Sequence, residues 1–188
     1  MRNTETKLII IVAIAFTATA IVLGYLSLGI VPAFLFTFGY LGGLVVWTLV
    51  PSSASFRQIA PAFFITLALF ILHKVEEREM DFFPQLSQIT GVPVPDANSP
   101  IALSLYGLAT CWLLIPFLVA RRSQFGYFLA WTFFCSMGIT ELAHFVLPLF
   151  RDRPYGYFPG MWSVFGLAPV ACYGMWCLSK KKSAKSMA

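Results

Sequence analysis

Five titratable side chains in two short clusters are the clearest sign of chemistry in this chain. His73, Glu76 and Glu77 lie near the end of one membrane-length apolar segment, and Glu141 and His144 lie near the end of another. The chain has two histidines and eight acidic residues, so both histidines and three of the acids fall in these clusters. Ionisable groups at the centre of a membrane helix cost roughly 2.5–3.5 kcal/mol each and are rare without a role. The clusters therefore predict a polar site inside a membrane protein.

The spacing within each cluster places its side chains on one face of a helix. Residues three or four positions apart share a face, so His73 projects with Glu76 and Glu77, and Glu141 projects with His144. At about 1.5 Å per residue, Glu76 and Glu77 lie roughly 28–30 Å beyond Arg57, and Glu141 and His144 lie roughly 28–33 Å beyond Arg122. Both segments run in the same direction, so we expect the clusters to meet at one depth and form a single site.

Two imidazoles and three carboxylates are a donor set that suits a metal ion. Glu141-x-x-His144 has the spacing found in carboxylate-bridged dimetal helix bundles, and His73-x-x-Glu76 is its reverse. Nitrogen and oxygen ligands without thiolate favour Fe, Mn or Zn over Cu(I). The complete dimetal set needs one more carboxylate than these clusters hold, so one or two ions remain open. The predicted ligands are His73, Glu76, Glu77, Glu141 and His144.

Other chemistry fits the same residues. Without a metal, Glu76, Glu77 and Glu141 would act as acids and bases, as in an isomerase or cyclase of an isoprenoid- or sterol-like lipid. Chains of Glu and His also relay protons, which suits a small proton-coupled transporter, and a buried polar network suits an accessory membrane subunit. The run around Lys74 and Glu77 also resembles a solvated helix end with ordinary ion pairs.

The rest of the chain has the composition of an all-α, polytopic membrane bundle. It is 59% hydrophobic and 11% charged. A bilayer core of about 30 Å needs about 20 apolar residues as a helix. Six stretches of roughly that length predict six spans in a single transmembrane domain covering residues 1–188, at residues 8–28, 30–50, 59–77, 101–120, 126–150 and 161–178.

Basic residues predict the orientation of the bundle. With six spans both termini share a side, and the positive-inside rule makes it the cytoplasm. A basic tail at 179–188 belongs to this side, and the titratable clusters then lie toward the outer face, most simply of a bacterial inner membrane. The net charge of +5 reflects this topology and contact with anionic lipid, and we expect no nucleic-acid partner. Nine of the thirteen basic residues would be cytoplasmic: Arg2, Lys7, Arg57, Arg121, Arg122, Lys180, Lys181, Lys182 and Lys185.

Two connections are longer than a turn and lie on the predicted outer side. Prolines in the segment 78–100 argue against one continuous helix there and suggest a cover over the outer face. In the segment 151–160, Arg151 and Arg153 are candidates to bind a substrate headgroup. Tyr157 fits either substrate contact or the aromatic belt at a membrane interface.

The motifs resemble those of the bacterial membrane proteins named for their HXXEE motif. His73-Lys74-Val75-Glu76-Glu77 matches that signature, Thr140-Glu141-Leu142-Ala143-His144 corresponds to a later histidine motif, and Pro159-Gly160 corresponds to a following Pro-Gly. The family has no established function. The resemblance implies that His73, Glu76, Glu77 and His144 belong to the site, and that Pro159 and Gly160 shape it.

The leading hypothesis from the sequence is a metal-dependent membrane enzyme that acts on a lipid-like or otherwise apolar molecule. Membrane lipids and an apolar substrate are its expected partners. Composition and spacing do not determine the substrate, the reaction or the oligomeric state.

Overall fold

The computed structural model describes residues 2–180, with side chains described from residue 5 onward. Within that range the chain is helical and contains no strand, which confirms the all-α class. The predicted basic tail beyond Lys180 lies outside the described residues. The α-helices are Arg2–Leu28, Ile30–Phe36, Gly42–Leu49, Phe56–Glu79, Phe82–Thr90, Pro100–Thr110, Ile115–Ala120, Gln124–Gly138, Ala143–Val146 and Met161–Ser179.

Several of these helices continue one another and form six spans, as predicted. A π-helical turn, Thr37–Leu41, joins the two parts of the second span, and a 3₁₀ turn, Cys111–Leu114, joins those of the fourth. Each span is long and apolar enough to cross a membrane, so the chain is a multi-pass membrane bundle. The six spans are Glu5–Leu28, Ile30–Leu49, Phe56–Glu79, Pro100–Ala120, Gln124–Phe150 and Met161–Ser179.

The fifth span is the centre of the bundle. Its first part, Gln124–Gly138, is buried along nearly its whole length, and it packs against the second, fourth and sixth spans. Gly39 and Gly43 of the second span lie directly against Ser136 and Thr132 of the fifth, where a Cβ atom would meet them. Helices in membranes associate mainly through close packing, which small residues permit. The Gly-x-x-x-Gly spacing therefore serves contact within the chain.

The last part of the fifth span is irregular. The α-helix ends at Gly138, and the chain continues as a 3₁₀ turn, Thr140–Leu142, one turn of α-helix and a second 3₁₀ turn, Leu147–Phe150. The Thr140 hydroxyl donates to the carbonyl of Leu35 at 3.2 Å. Irregular backbone at membrane depth is tolerated where protein surrounds it, and it often marks a functional site.

The linker between the third and fourth spans folds back over this irregular end. As its prolines suggested, it is not one continuous helix: Phe82–Thr90 is helical, and the chain then runs without regular structure to the start of the fourth span. A small apolar cluster, separate from the main core, holds the linker in place. We call it the covering cluster, and it consists of Leu86, Leu147, Phe158 and Met161, with Phe82, Ile89 and Phe145 packed against it.

Candidate metal centre

Four titratable side chains from two spans converge at the covered end of the bundle. His73 Nε2 lies 3.2 Å from Glu77 Oε1 and 3.2 Å from Glu141 Oε2. His144 Nε2 lies 3.4 Å from Glu77 Oε1 and 3.2 Å from Glu141 Oε2. One ligand atom from each of the four residues lies within 4.8 Å of all the others. The two sequence clusters therefore form one site, as their matching depth predicted.

Four of the separations between these atoms suit ligands around one metal ion. Zinc binds histidine nitrogen and carboxylate oxygen at about 2.0–2.2 Å, so a tetrahedral site has ligand-to-ligand edges of about 3.3–3.6 Å. The four nitrogen-to-oxygen distances here are 3.2–3.4 Å. The side chains are also shielded from solvent, with exposures of 0% for His73, 4% for His144, 6% for Glu77 and 13% for Glu141. The geometry and burial fit a bound cation.

A backbone carbonyl just before the sixth span fixes the tautomer of His144. Its Nδ1 atom lies within hydrogen-bond distance of the Pro159 carbonyl oxygen. A carbonyl can only accept a hydrogen bond, so Nδ1 must carry the proton. In the neutral ring, Nε2 is then an unprotonated atom directed at the centre, which is the form that binds a metal.

A serine contacts the other ring nitrogen of His73. Ser163 Oγ donates to the Gly160 carbonyl at 3.0 Å and lies 2.8 Å from His73 Nδ1. A hydroxyl whose proton goes to the carbonyl accepts from the ring nitrogen, so this arrangement favours the tautomer of His73 with the proton on Nδ1. Outer hydrogen bonds of this type orient histidine ligands in metal sites. Sequence reasoning did not identify Ser163, because a single serine at the start of an apolar span has no distinguishing pattern.

The neutral forms of both rings leave two nitrogen lone pairs facing two carboxylates. Among the residues that the structure describes, His73 Nε2 is buried and has no partner in hydrogen-bond geometry. In the neutral ring this nitrogen and the carboxylate oxygens beside it are all acceptors, so they need a cation or a proton between them. A divalent cation would satisfy His73, His144 and both carboxylates together.

Gly160 allows the two imidazoles to approach the start of the sixth span. Its backbone is left-handed, with φ +94°. A Cβ atom at this position would lie 2.5 Å from His144 Nδ1 and 2.7 Å from His73 Cε1. Only glycine accepts both the dihedral angle and the contact without strain. Pro159 and Gly160, which the resemblance implied, both lie at the site. The Pro159 carbonyl binds His144, and the absence of a side chain at Gly160 leaves room for both imidazoles.

Lys74 supplies a positive charge at the edge of the centre. Its Nζ lies 2.6 Å from Glu77 Oε2, while the other oxygen of Glu77 faces the histidines. The sequence presented this as an ordinary pair at a solvated helix end. The lysine side chain is indeed 45% exposed, but the Glu77 side chain is only 6% exposed. The pair therefore links the buried centre to the surface.

Glu76 lies outside the group of four, although it was predicted as a ligand and a base. Its carboxylate turns toward the start of the sixth span, where Tyr157 Oη donates to Glu76 Oε1 at 2.8 Å. Burial and this hydrogen bond raise the pKa of Tyr157 to about 12, so the phenol is a donor at neutral pH. Tyr157, predicted to contact substrate, thus holds Glu76.

Arg151 and Arg153, the predicted headgroup ligands, bind the linker. Arg151 Nη1 donates to Gln85 Oε1 at 2.6 Å, and Arg151 Nη2 donates to the Tyr157 carbonyl at 3.0 Å. Arg153 Nη2 donates to the same Gln85 oxygen at 3.3 Å. These contacts tie the segment before the sixth span to the linker helix, beside the centre rather than in it.

Apolar surfaces lie on two sides of the centre. Phe82 of the linker packs on the His144 ring, with ring centroids 5.1 Å apart, and the covering cluster continues outward from there. On another side, a groove of about 920 Å³ lies between the first, second and fifth spans. Thr140, Leu142 and Ala143, the neighbours of Glu141 in the chain, are part of its wall.

Comparison with protein-family models, with curated proteins and with solved structures found no match to this chain. The resemblance to the HXXEE-motif proteins therefore rests on the motifs themselves, and the geometry of the site carries the functional argument.

Proposed function

We propose that this protein is a membrane enzyme that uses one divalent metal ion to act on an apolar, lipid-like molecule. His73, Glu77, Glu141 and His144 hold the ion. One observation carries the proposal: Nδ1 of each histidine contacts an oxygen atom outside the centre, so both Nε2 atoms are directed at the two carboxylates.

The donor set supports one ion rather than two. Dimetal bundle sites use four carboxylates and two histidines, whereas this centre has two of each. One divalent ion balances the charges of Glu77 and Glu141, and Lys74 adds a further positive charge at the edge. Zinc, iron and manganese all accept these nitrogen and oxygen ligands.

Such an ion acts as a Lewis acid on a substrate oxygen or lowers the pKa of water to near neutrality. The chain supplies the rest of the site. Phe82 and the covering cluster exclude solvent, which strengthens every charge interaction inside. Glu141 has the largest exposed fraction of the four ligands, so it marks the side from which substrate reaches the centre.

The groove beside Glu141 supports an apolar substrate. Its wall is almost entirely hydrocarbon and belongs to spans that face the bilayer, with Ile30, Phe34 and Phe150 among its most exposed members. A hydrocarbon chain of a lipid substrate occupies it. The basic residues favour cytoplasmic termini in a bacterial inner membrane, so substrate enters from the outer leaflet.

Metal content tests the centre. Full-length protein, purified in detergent without chelator and offered Zn, Fe and Mn in turn, should retain one ion per chain by inductively coupled plasma mass spectrometry. The His73→Ala/His144→Ala variant should retain none. Glu79→Ala is the matched control, because Glu79 is an exposed acid on the same helix end. Absence of metal from the reloaded wild type would overturn the metal proposal and favour metal-free isomerase or cyclase chemistry.

Turnover tests the enzyme. Metal-loaded protein in nanodiscs is incubated with a bacterial lipid extract, and lipid species are followed by mass spectrometry. Consumption of one species should require metal and disappear in Glu141→Gln. Turnover that persists after the metal is removed by chelation would contradict a metal-dependent reaction. A metal-loaded protein without any turnover, but with proton flux in vesicles, would favour a transporter.

A further inference from the structure

Glu76 is next to a ligand of the proposed centre, yet its carboxylate binds a different part of the molecule. Its Oε1 atom accepts from Tyr157 Oη at 2.8 Å, from Gly160 N at 3.1 Å and from Trp162 N at 3.1 Å. Its Oε2 atom accepts from Ser163 N at 2.9 Å. The first N–H groups of a helix lack partners within the helix, and the helix dipole favours a negative charge there. Glu76 therefore caps the sixth span from another helix.

The segment that Glu76 binds is the one that orients both histidines. The Pro159 carbonyl accepts from His144, and Ser163 Oγ accepts from His73. The residue between them, Gly160, lies against both imidazole rings. Each of these contacts depends on the position of the start of the sixth span. Glu76 holds the two ends of this short segment through bonds to both of its oxygens.

We infer that Glu76 is a positioning residue: by fixing residues 157–163 it presents the Nε2 atoms of His73 and His144 to the metal. The two adjacent glutamates of the motif then have separate roles, since Glu77 binds the metal and Glu76 orients the other ligands. This inference rests on the proposed metal function.

A carboxylate suits this role better than an amide. Four donors converge on Glu76, and its two oxygens accept all of them. In Glu76→Gln the amide oxygen can replace Oε1, but the amide nitrogen would face the N–H of Ser163, and both groups are donors. The amide variant therefore keeps three of the four bonds, and Glu76→Ala keeps none.

Metal affinity is the first test. Loss of an outer contact in a metal site typically lowers affinity by about 10- to 100-fold. We expect this fall in Glu76→Ala, with Glu76→Gln between alanine and wild type, measured with Zn²⁺ and a competing chelator. Unchanged affinity in Glu76→Ala, together with a lower melting temperature, would reduce Glu76 to a purely structural role and overturn the inference.

Gln58→Ala is the matched control. Gln58 Oε1 accepts from the backbone N–H of Ser55 at 2.7 Å, so this variant also removes a cap at a helix start. Gln58 lies about 22 Å from His73 along the third span. We expect Gln58→Ala to lower thermal stability and to leave metal affinity within twofold of wild type. An equal loss of affinity in both variants would contradict a specific role of Glu76.

The ligand-field spectrum of the cobalt-substituted protein distinguishes positioning from direct ligation. At saturating Co²⁺, Glu76→Ala keeps all four ligands and should keep the wild-type band positions. A shift like that of Glu77→Ala would make Glu76 a ligand and overturn the inference.

Histidine tautomers give a readout that needs no metal. The chain has two histidines, so ¹⁵N spectra of the imidazoles resolve both rings in metal-free protein in nanodiscs. Wild type should show a protonated, hydrogen-bonded Nδ1 for both rings, and Glu76→Ala a mixture of Nδ1 environments. Altered tautomers in a protein whose wild type binds no metal would overturn the proposed function and keep the positioning role. Unaltered tautomers in Glu76→Ala, together with unaltered metal affinity, would overturn the positioning role and keep the proposed function.

Discussion

The two parts of the fifth span are stabilised in opposite ways. Gln124–Gly138 is a regular helix, and its buried side chains, mostly aromatic or small, are held by close packing against neighbouring spans. Thr140–Phe150 is irregular, and its two titratable residues are held by hydrogen bonds and charge to residues far away in the chain. Packing tolerates changes that preserve volume, whereas a directional site depends on single atoms. Damage to the first part should therefore lower stability, and damage to the second should lower metal binding.

The largest effect should follow removal of one charge from the centre. In Glu141→Gln we expect metal affinity to fall roughly a thousandfold, about 4 kcal/mol, because one partner of a buried charge set is lost. Melting temperature without metal should change little. Titration with Zn²⁺ measures the first quantity and circular dichroism the second, with Glu79→Gln as the exposed control. Affinity within threefold of wild type would contradict the proposed difference between the two parts of the fifth span.

A large cavity in the regular part should have the opposite signature. Phe133 is fully buried and packs against Phe63, Trp112 and Phe134. Phe133→Ala should lower the unfolding free energy by about 3 kcal/mol and leave metal affinity unchanged. Unfolding in mixed detergent micelles measures the loss. Phe64→Ala, at a side chain that is 55% exposed, is the control and should lose much less.

A single added methyl group should damage the site more than the fold. Gly160→Ala forces a strained dihedral angle and places Cβ against both imidazoles. We expect about 10- to 100-fold weaker metal binding, the range typical of disturbed outer contacts. Gly107→Ala is the matched control, because a Cβ there has no neighbour within 4 Å in the described part of the chain. Equal affinities in both variants would show that the rings are not held this tightly.

The smallest effect concerns a side-chain hydrogen bond between the fourth span and the regular part of the fifth span. Trp112 Nε1 donates to Thr132 Oγ1 at 3.2 Å. Thr132→Val leaves this buried donor without its acceptor, and we expect a loss of about 1 kcal/mol in unfolding free energy. Thr48→Val, at an exposed position, should be neutral. A change in metal affinity would show that the two parts are coupled.

Hydropathy was enough to predict the six spans, because a bilayer requires long apolar segments to satisfy their backbone as helices. The observed limits differ from the predicted ones by three residues or fewer. Hydropathy did not predict that the fifth span would lose its α-helical form after Gly138. Contacts with other spans, such as the bond from Thr140 to Leu35, hold that break, and they have no signature in the local sequence.

Sequence patterns alone were enough to predict the six-span bundle and the residues that share a helix face, His73 with Glu76 and Glu77, and Glu141 with His144. Periodicity fixes such pairs, because residues three or four apart share a face. Which of the two adjacent glutamates enters the centre depends on tertiary packing. Neighbouring residues point about 100° apart on a helix, so the packing of the sixth span selects Glu77 for the site and Glu76 for the cap.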